Sequence, residues 1–278
     1  MMTLKRFYSS TLCVLVVMAG LFFEWTFMLV VIGLTIGGLY EFFYMIKKKG
    51  IPIYSYIGIF IGVMIPLSIW YDFELTKNWE LFFITLMFLM VLLLQFARKE
   101  NTNAIVGIST TMFGVFYVSW LFSFTVKVRF LLPGMDGVKL IGFILLVTKC
   151  GDIGALLIGS RFGKHPLLPR ISPNKSIEGA VGSLLFSVTV ALLSASLLPV
   201  NVVRLPWWQI ATMGAFFGGM GQLGDLSESL IKRDCQVKDS GKFLPGMGGV
   251  LDIIDSLLFS VPAFYLYMAA VLDNITPV

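Results

Sequence analysis

Hydrophobic residues in this 278-residue chain form long runs that short polar segments separate. A helix that crosses a bilayer needs about 20 mostly apolar residues, and with that length the pattern predicts nine spans. The runs lie at residues 10–23, 26–46, 53–70, 79–97, 103–126, 138–160, 177–198, 207–231 and 250–270. The first run is short, and Glu24 and Trp25 mark either a turn or a polar break within one long helix, which would leave eight spans. The pattern therefore predicts an all-α integral membrane protein, a polytopic bundle of about nine transmembrane helices.

The distribution of positive charge predicts how this bundle is oriented, because lysine and arginine collect in cytoplasmic loops. With nine spans and a cytoplasmic N-terminus, fifteen of these residues lie in inside segments and five lie in outside segments. Fusing the first two spans would move Lys5 and Arg6 to the outside. Nine spans with a cytoplasmic N-terminus therefore fit the charges better than eight.

Composition supports a membrane protein and excludes several other classes. The chain is 57% hydrophobic and 13% charged, whereas a soluble domain carries about 25% charged residues. The net charge of +5 is not a nucleic-acid signature, because the basic residues cluster beside the hydrophobic runs. Cys13, Cys150 and Cys235 are far apart and form no CxxC pair, so they support neither a disulfide framework nor a zinc site.

Polar residues divide the chain into two regions. Residues 1–126 hold about five spans with few charges and are predicted to be a transmembrane scaffold. Residues 127–278 hold about four spans with cytoplasmic loops at 160–176 and 232–249, and are predicted to be the catalytic region. Within one of these spans Lys149 and Asp152 stand three residues apart, so they share a helix face and could pair. They form either an ion pair that fixes helix register or a site at which Asp152 faces a polar cavity.

The loop at 159–179 combines cations with a predicted helix start. Its basic residues are Arg161, Lys164, Arg170 and Lys175. Ser172 and Pro173 predict a helix N-terminus, with serine as the N-cap and proline at the first helical position. Free N–H groups at such an N-terminus, beside lysine and arginine, favour phosphate. Glu178 stands at the mouth of the next span, and His165, the single histidine, is more typical of a surface residue than of a ligand.

Acids concentrate in the stretch 224–256, on two predicted helix faces. The residues of the first face, at i, i+4 and i+7 spacing, are Asp225, Ser229 and Lys232, with Glu228 on the neighbouring edge. The residues of the second face are Asp252, Asp255 and Ser256. Facing carboxylates repel each other unless a cation or proton lies between them. Carboxylate oxygens are hard ligands, so the pattern predicts Mg²⁺ or another hard cation rather than zinc.

The segment between these two faces is basic and rich in glycine. Its cations are Lys232, Arg233, Lys238 and Lys242, and its glycines include Gly246, Gly248 and Gly249. Lysines and a close-approaching backbone beside a carboxylate-held cation are the equipment for phosphoryl or nucleotidyl transfer. No Walker A sequence is present, which argues against an ATPase of that type. A polar re-entrant loop is the alternative, but it does not account for acids on both flanking helices.

The stretch from Ser229 to Asp255 resembles the signature of the phosphatidate cytidylyltransferases, also called CDP-diacylglycerol synthases. That signature reads Ser-x-x-Lys-Arg, four residues, Lys-Asp, then Pro-x-His-Gly-Gly-x-x-Asp-Arg-x-Asp. The matching residues are Ser229, Lys232, Arg233, Lys238, Asp239, Pro245, Gly248, Gly249, Asp252 and Asp255. The Asp152 span, the segment from Ser172 to Gly179 and the triplet that begins at Gly224 are also similar to the family. Met247 replaces the family's histidine, and Ile253 replaces its arginine.

The resemblance implies transfer of a cytidylyl group from CTP to phosphatidate, giving CDP-diacylglycerol and pyrophosphate for phospholipid biosynthesis. It implies Mg²⁺ held by Asp225 and Asp252 with Asp255 nearby, and Lys232 beside these acids as a fourth catalytic residue. The substrate-binding residues that it implies are Asp152, Arg161, Lys164, Ser172, Lys175, Glu178, Ser229, Arg233, Lys238, Asp239, Gly248 and Gly249.

The resemblance also implies where the protein works and with what. The expected place is a bacterial inner membrane, with membrane lipids as surroundings and the site on the cytoplasmic side. The family leaves room for a second cation beside Mg²⁺ and for a homodimer. Two alternatives stay open: a CTP-dependent transferase acting on a polyprenol-type alcohol or an ether-lipid phosphate, and an ion-coupled transporter. A transporter would be favoured by inverted repeats, which the two halves do not show.

Overall fold

The computed structural model describes residues 20–71, 79–99, 101–199, 205–241 and 248–275. Within these ranges the chain is mostly helical, and five helices are long and apolar enough to cross a membrane. They are Glu24–Lys48, Trp79–Phe96, Ala104–Phe130, Met135–Phe162 and Leu251–Leu272. This confirms a helical membrane protein. Most of the predicted first span, residues 10–19, lies outside the described ranges.

The elements follow each other in the order that the hydrophobic runs predict. The first five helices are α1 (Glu24–Lys48), α2 (Ser55–Tyr71), α3 (Trp79–Phe96), α4 (Ala104–Gly114) and, after a π-helical segment (Val115–Trp120), α5 (Leu121–Phe130). The remaining elements are α6 (Met135–Phe162), β1 (Pro166–Leu168), β2 (Ser172–Ser176), α7 (Ile177–Leu193), a 3₁₀ turn (Ala195–Leu197), α8 (Trp207–Asp234), α9 (Leu251–Ile254) and α10 (Leu257–Ile275).

The chain forms two compact units. Unit 1 comprises the described parts of residues 1–126 together with 234–254, and unit 2 comprises those of 127–233 together with 255–278. The described parts of 234–254 thus group with the N-terminal unit, and the functional division into scaffold and catalytic region stays a prediction. The signature that resembles the cytidylyltransferases is therefore shared between both units.

Large apolar side chains of α1 form the core of unit 1. Leu39, Phe42 and Phe43 are buried there. Glycines on α2 make room for them, since a Cβ at Gly58 would strike the ring of Phe43 and one at Gly62 would strike Leu39. Because apolar surroundings leave backbone groups no water to bind, these segments satisfy their N–H and C=O groups internally as helices.

Small residues, in contrast, set the packing of unit 2. Helix α6 approaches α7 at Gly154, where a Cβ would lie 2.8 Å from the carbonyl oxygen of Gly182 and would overlap Phe186. Farther along α7, the Ser187 hydroxyl donates a 3.1 Å hydrogen bond to the carbonyl oxygen of Val147 on α6. Glycine, alanine and serine let membrane helices approach closely enough for dispersion and hydrogen bonds to hold them.

The prediction of a helix beginning at Ser172 and Pro173 is wrong. Residues Ser172–Ser176 form strand β2, which pairs antiparallel with β1, with Leu168 opposite Ser172. The residue before a proline is biased toward extended backbone, which favours a strand at Ser172. Helix α7 begins at Ile177 instead, and the Ser176 side chain accepts a 3.1 Å hydrogen bond from the Gly179 N–H as its N-cap. The all-α prediction is accordingly corrected, because the described part of the chain is helical with one small hairpin.

Gly154→Ala tests the close packing of α6 on α7. A buried overlap of this kind costs roughly 1–3 kcal/mol, which outweighs the gain of up to about 1 kcal/mol in helix propensity. We expect a lower thermal unfolding temperature for the detergent-purified variant. Gly142→Ala is the matched control on the same helix, because a Cβ there meets no atom within 4 Å. Equal unfolding temperatures for the two variants would contradict this packing.

Candidate active site

Three acids of unit 2 form a compact cluster. Asp225 and Glu228 stand three residues apart on α8, and Asp255 lies in the turn before α10. One carboxylate oxygen from each lies within 4.8 Å of the others. Glu228 is fully buried and Asp255 is 7% exposed, so water screens their mutual repulsion poorly. The arrangement is therefore suited to holding a cation.

The donor set decides which cation fits. All three side chains offer carboxylate oxygens, and among the described residues this group contains no imidazole or thiolate. Hard oxygen donors suit Mg²⁺, whereas zinc in proteins is mostly bound by histidine and cysteine. The residues present thus fit the Mg²⁺ that the sequence pattern predicts.

A glycine on α8 lets the turn that carries Asp255 come close. A Cβ at Gly224 would overlap the carbonyl oxygen of Asp255 and lie 3.2 Å from the Cα of Ser256. The residue before Asp225 must therefore lack a side chain for the two acids to approach each other. Gly224 and Asp225 therefore both contribute to the cluster, Gly224 by making room and Asp225 by its carboxylate.

A second polar group continues from this turn to α6. Lys149 Nζ lies 3.3 Å from Asp152 Oδ2, so the predicted pairing of these residues is confirmed. Lys149 also donates to the Ser256 hydroxyl at 2.7 Å, and that hydroxyl donates to Asp152 Oδ2 at 2.9 Å. The Ser256 N–H donates to Asp255 Oδ1 at 2.6 Å. Asp152 is thus connected to the acid cluster through Ser256.

Two lysines lie directly against the cluster. Lys175 Nζ is 2.6 Å from Asp225 Oδ2, and Lys232 Nζ is 2.5 Å from Glu228 Oε2. Lys175 comes from strand β2, so the hairpin, rather than the predicted helix N-terminus, positions this cation. Arg233 Nε donates to the carbonyl oxygen of Ile171 at 3.1 Å, which ties the end of α8 to the hairpin. Positive charge beside the acids can offset the charge of bound phosphates.

The other predicted residues of the basic loop lie farther out. Arg161 and Lys164 are exposed at the end of α6. Glu178 accepts hydrogen bonds from the backbone N–H groups of Lys164 at 3.1 Å and His165 at 3.3 Å. Its Oε1 lies 2.6 Å from the His165 ring nitrogen Nδ1. In this structure Glu178 shapes the loop, and its predicted role in substrate binding stays a prediction.

The remaining predicted residues are divided between the two units. Ser172 begins β2, and Ser229 is buried on α8 in unit 2. Lys238 and Asp239 are exposed in unit 1. Their predicted contacts with substrate stay predictions.

Asp252 belongs to unit 1, where backbone and side-chain donors surround it. Its Oδ2 accepts from the Gly249 N–H at 2.7 Å, and from the Ser240 hydroxyl at 2.9 Å and N–H at 3.3 Å. Gly248 has φ +93°, in the left-handed region that glycine tolerates best. The assignment of Asp252 to the metal stays a prediction. Pro245 and Met247 lie outside the described residues.

Sequence reasoning did not assign Glu228 to the metal. The spacing placed it on the edge next to Asp225, but the resemblance drew attention to the matching signature residues and not to this one. The available signal was a second acid, three residues from the first, within a helix otherwise rich in glycine and apolar residues. Such an acid is rarely buried without a functional or structural partner.

Comparisons of the sequence with known proteins identify its family. The sequence profile of the Cytidylyltransferase family matches residues 4–271. The phosphatidate cytidylyltransferase of Bacillus subtilis (strain 168) is 32% identical over 231 residues, covering 83% of this chain and 84% of the relative. A protein of the same name from Staphylococcus saprophyticus is 35% identical, with coverage of 78% and 79%. A third, from Synechocystis, is 34% identical, with coverage of 84% and 85%. With the acid cluster and its lysines in place, and a match along nearly the whole chain, this protein belongs to the cytidylyltransferase family.

Proposed function

We propose that this protein is a membrane enzyme that transfers a cytidylyl group from CTP to phosphatidate, forming CDP-diacylglycerol and pyrophosphate. Its family membership and relatives named phosphatidate cytidylyltransferase support this function. The observation that carries it is the cluster of Asp225, Glu228 and Asp255 with two lysines against it. Nothing observed favours another acceptor lipid or a transporter.

The reaction joins two polyanions that repel each other, so the site needs positive charge. A phosphate oxygen of phosphatidate attacks the α-phosphorus of CTP, and the bond between the α- and β-phosphates breaks as pyrophosphate leaves with its electron pair. Lys175 and Lys232 lie where they can offset phosphate charge, and they lose little by exchanging a carboxylate partner for a phosphate. Their ion pairs with Asp225 and Glu228 also keep both ammonium groups in place before substrate arrives.

Mg²⁺ is the cation that we propose for the acid cluster, with Asp225, Glu228 and Asp255 as its ligands in unit 2. When bound, it would reduce the negative charge on the attacking and leaving oxygens. For Asp252, in unit 1, a metal-binding role is an expectation from the family signature alone. A second cation beside Mg²⁺ and a homodimer are further family expectations that we carry as proposals.

We propose nine spans with a cytoplasmic N-terminus, in the inner membrane of a bacterium. The excess of lysine and arginine in the inside segments supports this orientation, and the relatives are bacterial proteins. In this arrangement the acyl chains of phosphatidate stay in the bilayer while its headgroup meets CTP at the cytoplasmic face. That need explains why a site for a soluble nucleotide is built from the ends of membrane helices.

Purified protein given labelled CTP, Mg²⁺ and phosphatidate should form CDP-diacylglycerol. Asp225→Asn and Asp255→Asn should each lower kcat at least about 100-fold, because a lost metal ligand removes several kcal/mol of transition-state stabilisation. Asp136→Asn is the matched control, since Asp136 pairs with Lys139 in the first turn of α6 at 3.0 Å. If product forms only from a polyprenol-type alcohol or an ether-lipid phosphate, that lipid is the acceptor instead of phosphatidate. Wild-type protein inactive on every acceptor would refute the function.

Glu228→Gln tests the ligand that sequence reasoning missed. Replacing a carboxylate by a neutral amide weakens a hard-cation site, so we expect the Mg²⁺ concentration for half-maximal activity to rise about tenfold or more. Activity at saturating Mg²⁺ should recover in part. The measurement is a Mg²⁺ titration of initial rate at fixed CTP and phosphatidate. An unchanged titration midpoint would exclude Glu228 as a ligand.

Labelling of single cysteines tests the orientation. In a background with all three native cysteines replaced by serine, Met135→Cys and Pro169→Cys place thiols in segments of opposite predicted sidedness, and both positions are exposed. In intact spheroplasts a membrane-impermeant maleimide should label the first variant, and the second only after permeabilisation. The reverse pattern would overturn the proposed orientation of both segments.

A further inference from the structure

A buried glutamate of α1 lies in the region that the sequence predicts to be scaffold. Glu41 is 5% exposed, and its Oε2 accepts hydrogen bonds from the Leu251 N–H at 2.9 Å and from the Ser240 hydroxyl at 3.0 Å. A carboxylate inside a membrane helix is costly unless donors compensate it. Here both donors come from the segment that carries the family signature. Glu41 therefore holds that segment against α1 by polar contacts that an apolar residue cannot make.

The same contacts lead to Asp252. The Ser240 hydroxyl lies between two carboxylates, 3.0 Å from Glu41 Oε2 and 2.9 Å from Asp252 Oδ2, and donates its single proton to one of them at a time. Leu251, whose N–H donates to Glu41, is the residue immediately before Asp252. Glu41 thus fixes Asp252 from two directions, through the backbone beside it and through a shared hydroxyl.

Glycines around these contacts leave the room that the contacts need. A Cβ at Gly249 would overlap both the Ser240 hydroxyl and Glu41 Oε2, and a Cβ at Gly241 would overlap Glu41 Oε1. On α1, Gly37 and Gly38 lie against the side chains of Val250 and Ile254. Gly37, Gly38 and Glu41 therefore form one surface of α1, and the segment 248–254 packs against it. Ordinary helix packing would explain the two glycines of α1 but not a buried carboxylate aimed at backbone and hydroxyl donors.

We propose that Glu41 is a positioning residue for the cytidylyl transfer, which holds the signature segment so that the Asp252 carboxylate keeps its orientation. This inference rests on the proposed function for its catalytic consequence and on the geometry of unit 1 for its structural one. Outer partners that orient a metal-binding carboxylate typically change affinity or activity by roughly 10- to 100-fold when removed. Glu41 itself has no assigned contact with substrate.

The experiment compares Glu41→Leu with Gln95→Leu in the full-length, detergent-purified protein. Gln95 is the matched control, because it is a buried polar residue of unit 1 that hydrogen-bonds Tyr54 and Asn101 instead of the signature segment. Each variant is measured for unfolding temperature, for hydrogen exchange in peptides covering 248–254, and for kcat per folded protein. Glu41→Gln keeps an acceptor oxygen and is the conservative rescue, and Ser240→Ala removes the shared hydroxyl while leaving Glu41 in place.

We expect Glu41→Leu to raise hydrogen exchange across 248–254 and to lower kcat roughly 10- to 100-fold, with a weaker apparent affinity for Mg²⁺. Gln95→Leu should lower the unfolding temperature without either effect. Glu41→Gln should restore protection and most of the activity. Ser240→Ala should act in the same direction as Glu41→Leu, and the double variant should lose less than the product of the two single losses, because both remove one connected set of contacts.

The proposal is overturned if Glu41→Leu and Gln95→Leu alter exchange and kcat alike, or if Glu41→Gln is as damaged as Glu41→Leu. If Glu41→Leu does not fold, Ser240→Ala decides, and unchanged exchange and kcat in that variant would overturn the proposal. Hydrogen exchange also separates this inference from the proposed function. A wild-type protein without cytidylyl transfer, but with exchange that depends on Glu41, would refute the function and retain the positioning role.

Discussion

A carboxylate among apolar helices must be compensated, and both units of this protein are built around that requirement. In unit 2 the compensation is cationic, because Lys175 and Lys232 pair with Asp225 and Glu228. In unit 1 it comes from dipoles, since hydroxyl and N–H donors surround Glu41 and Asp252. The difference has a chemical meaning. Acids paired with lysine ammonium groups can exchange those partners for a metal while the lysines bind phosphates, whereas acids bound by backbone donors keep those partners.

Close approach is the second requirement, and glycine meets it in both units. Gly224 lets the turn at Asp255 come against α8, and Gly249 lets the signature segment come against Glu41. Asp225 follows Gly224 directly, and Asp252 lies three residues after Gly249 and accepts a hydrogen bond from its N–H. A side chain at either glycine would therefore push away the backbone or side chain that lies against it, and with it the nearby carboxylate.

The sequence predicted what depends on local spacing. Helix positions followed from the lengths of apolar runs, and the pairing of Lys149 with Asp152 followed from the turn of a helix. The start of α7 did not, because pairing of β2 with β1 competes with helix formation at Ser172, and Ser176 becomes the cap instead. Glu41 was missed for a different reason. Its partners Ser240 and Leu251 lie about 200 residues away, so only the folded chain brings them together.

One departure from the family signature, Ile253, lies among the contacts that hold Asp252. The hydrogen bonds that hold Asp252 come from Ser240 and Gly249, and both residues are present. Ile253, which replaces the family's arginine, donates its backbone N–H to Val250 O at 3.1 Å, a bond that any residue other than proline could form. The replacement therefore leaves these contacts of the segment intact. What an arginine would add at this position is its positive charge, so the replacement bears on charge near the signature segment rather than on how the segment is held.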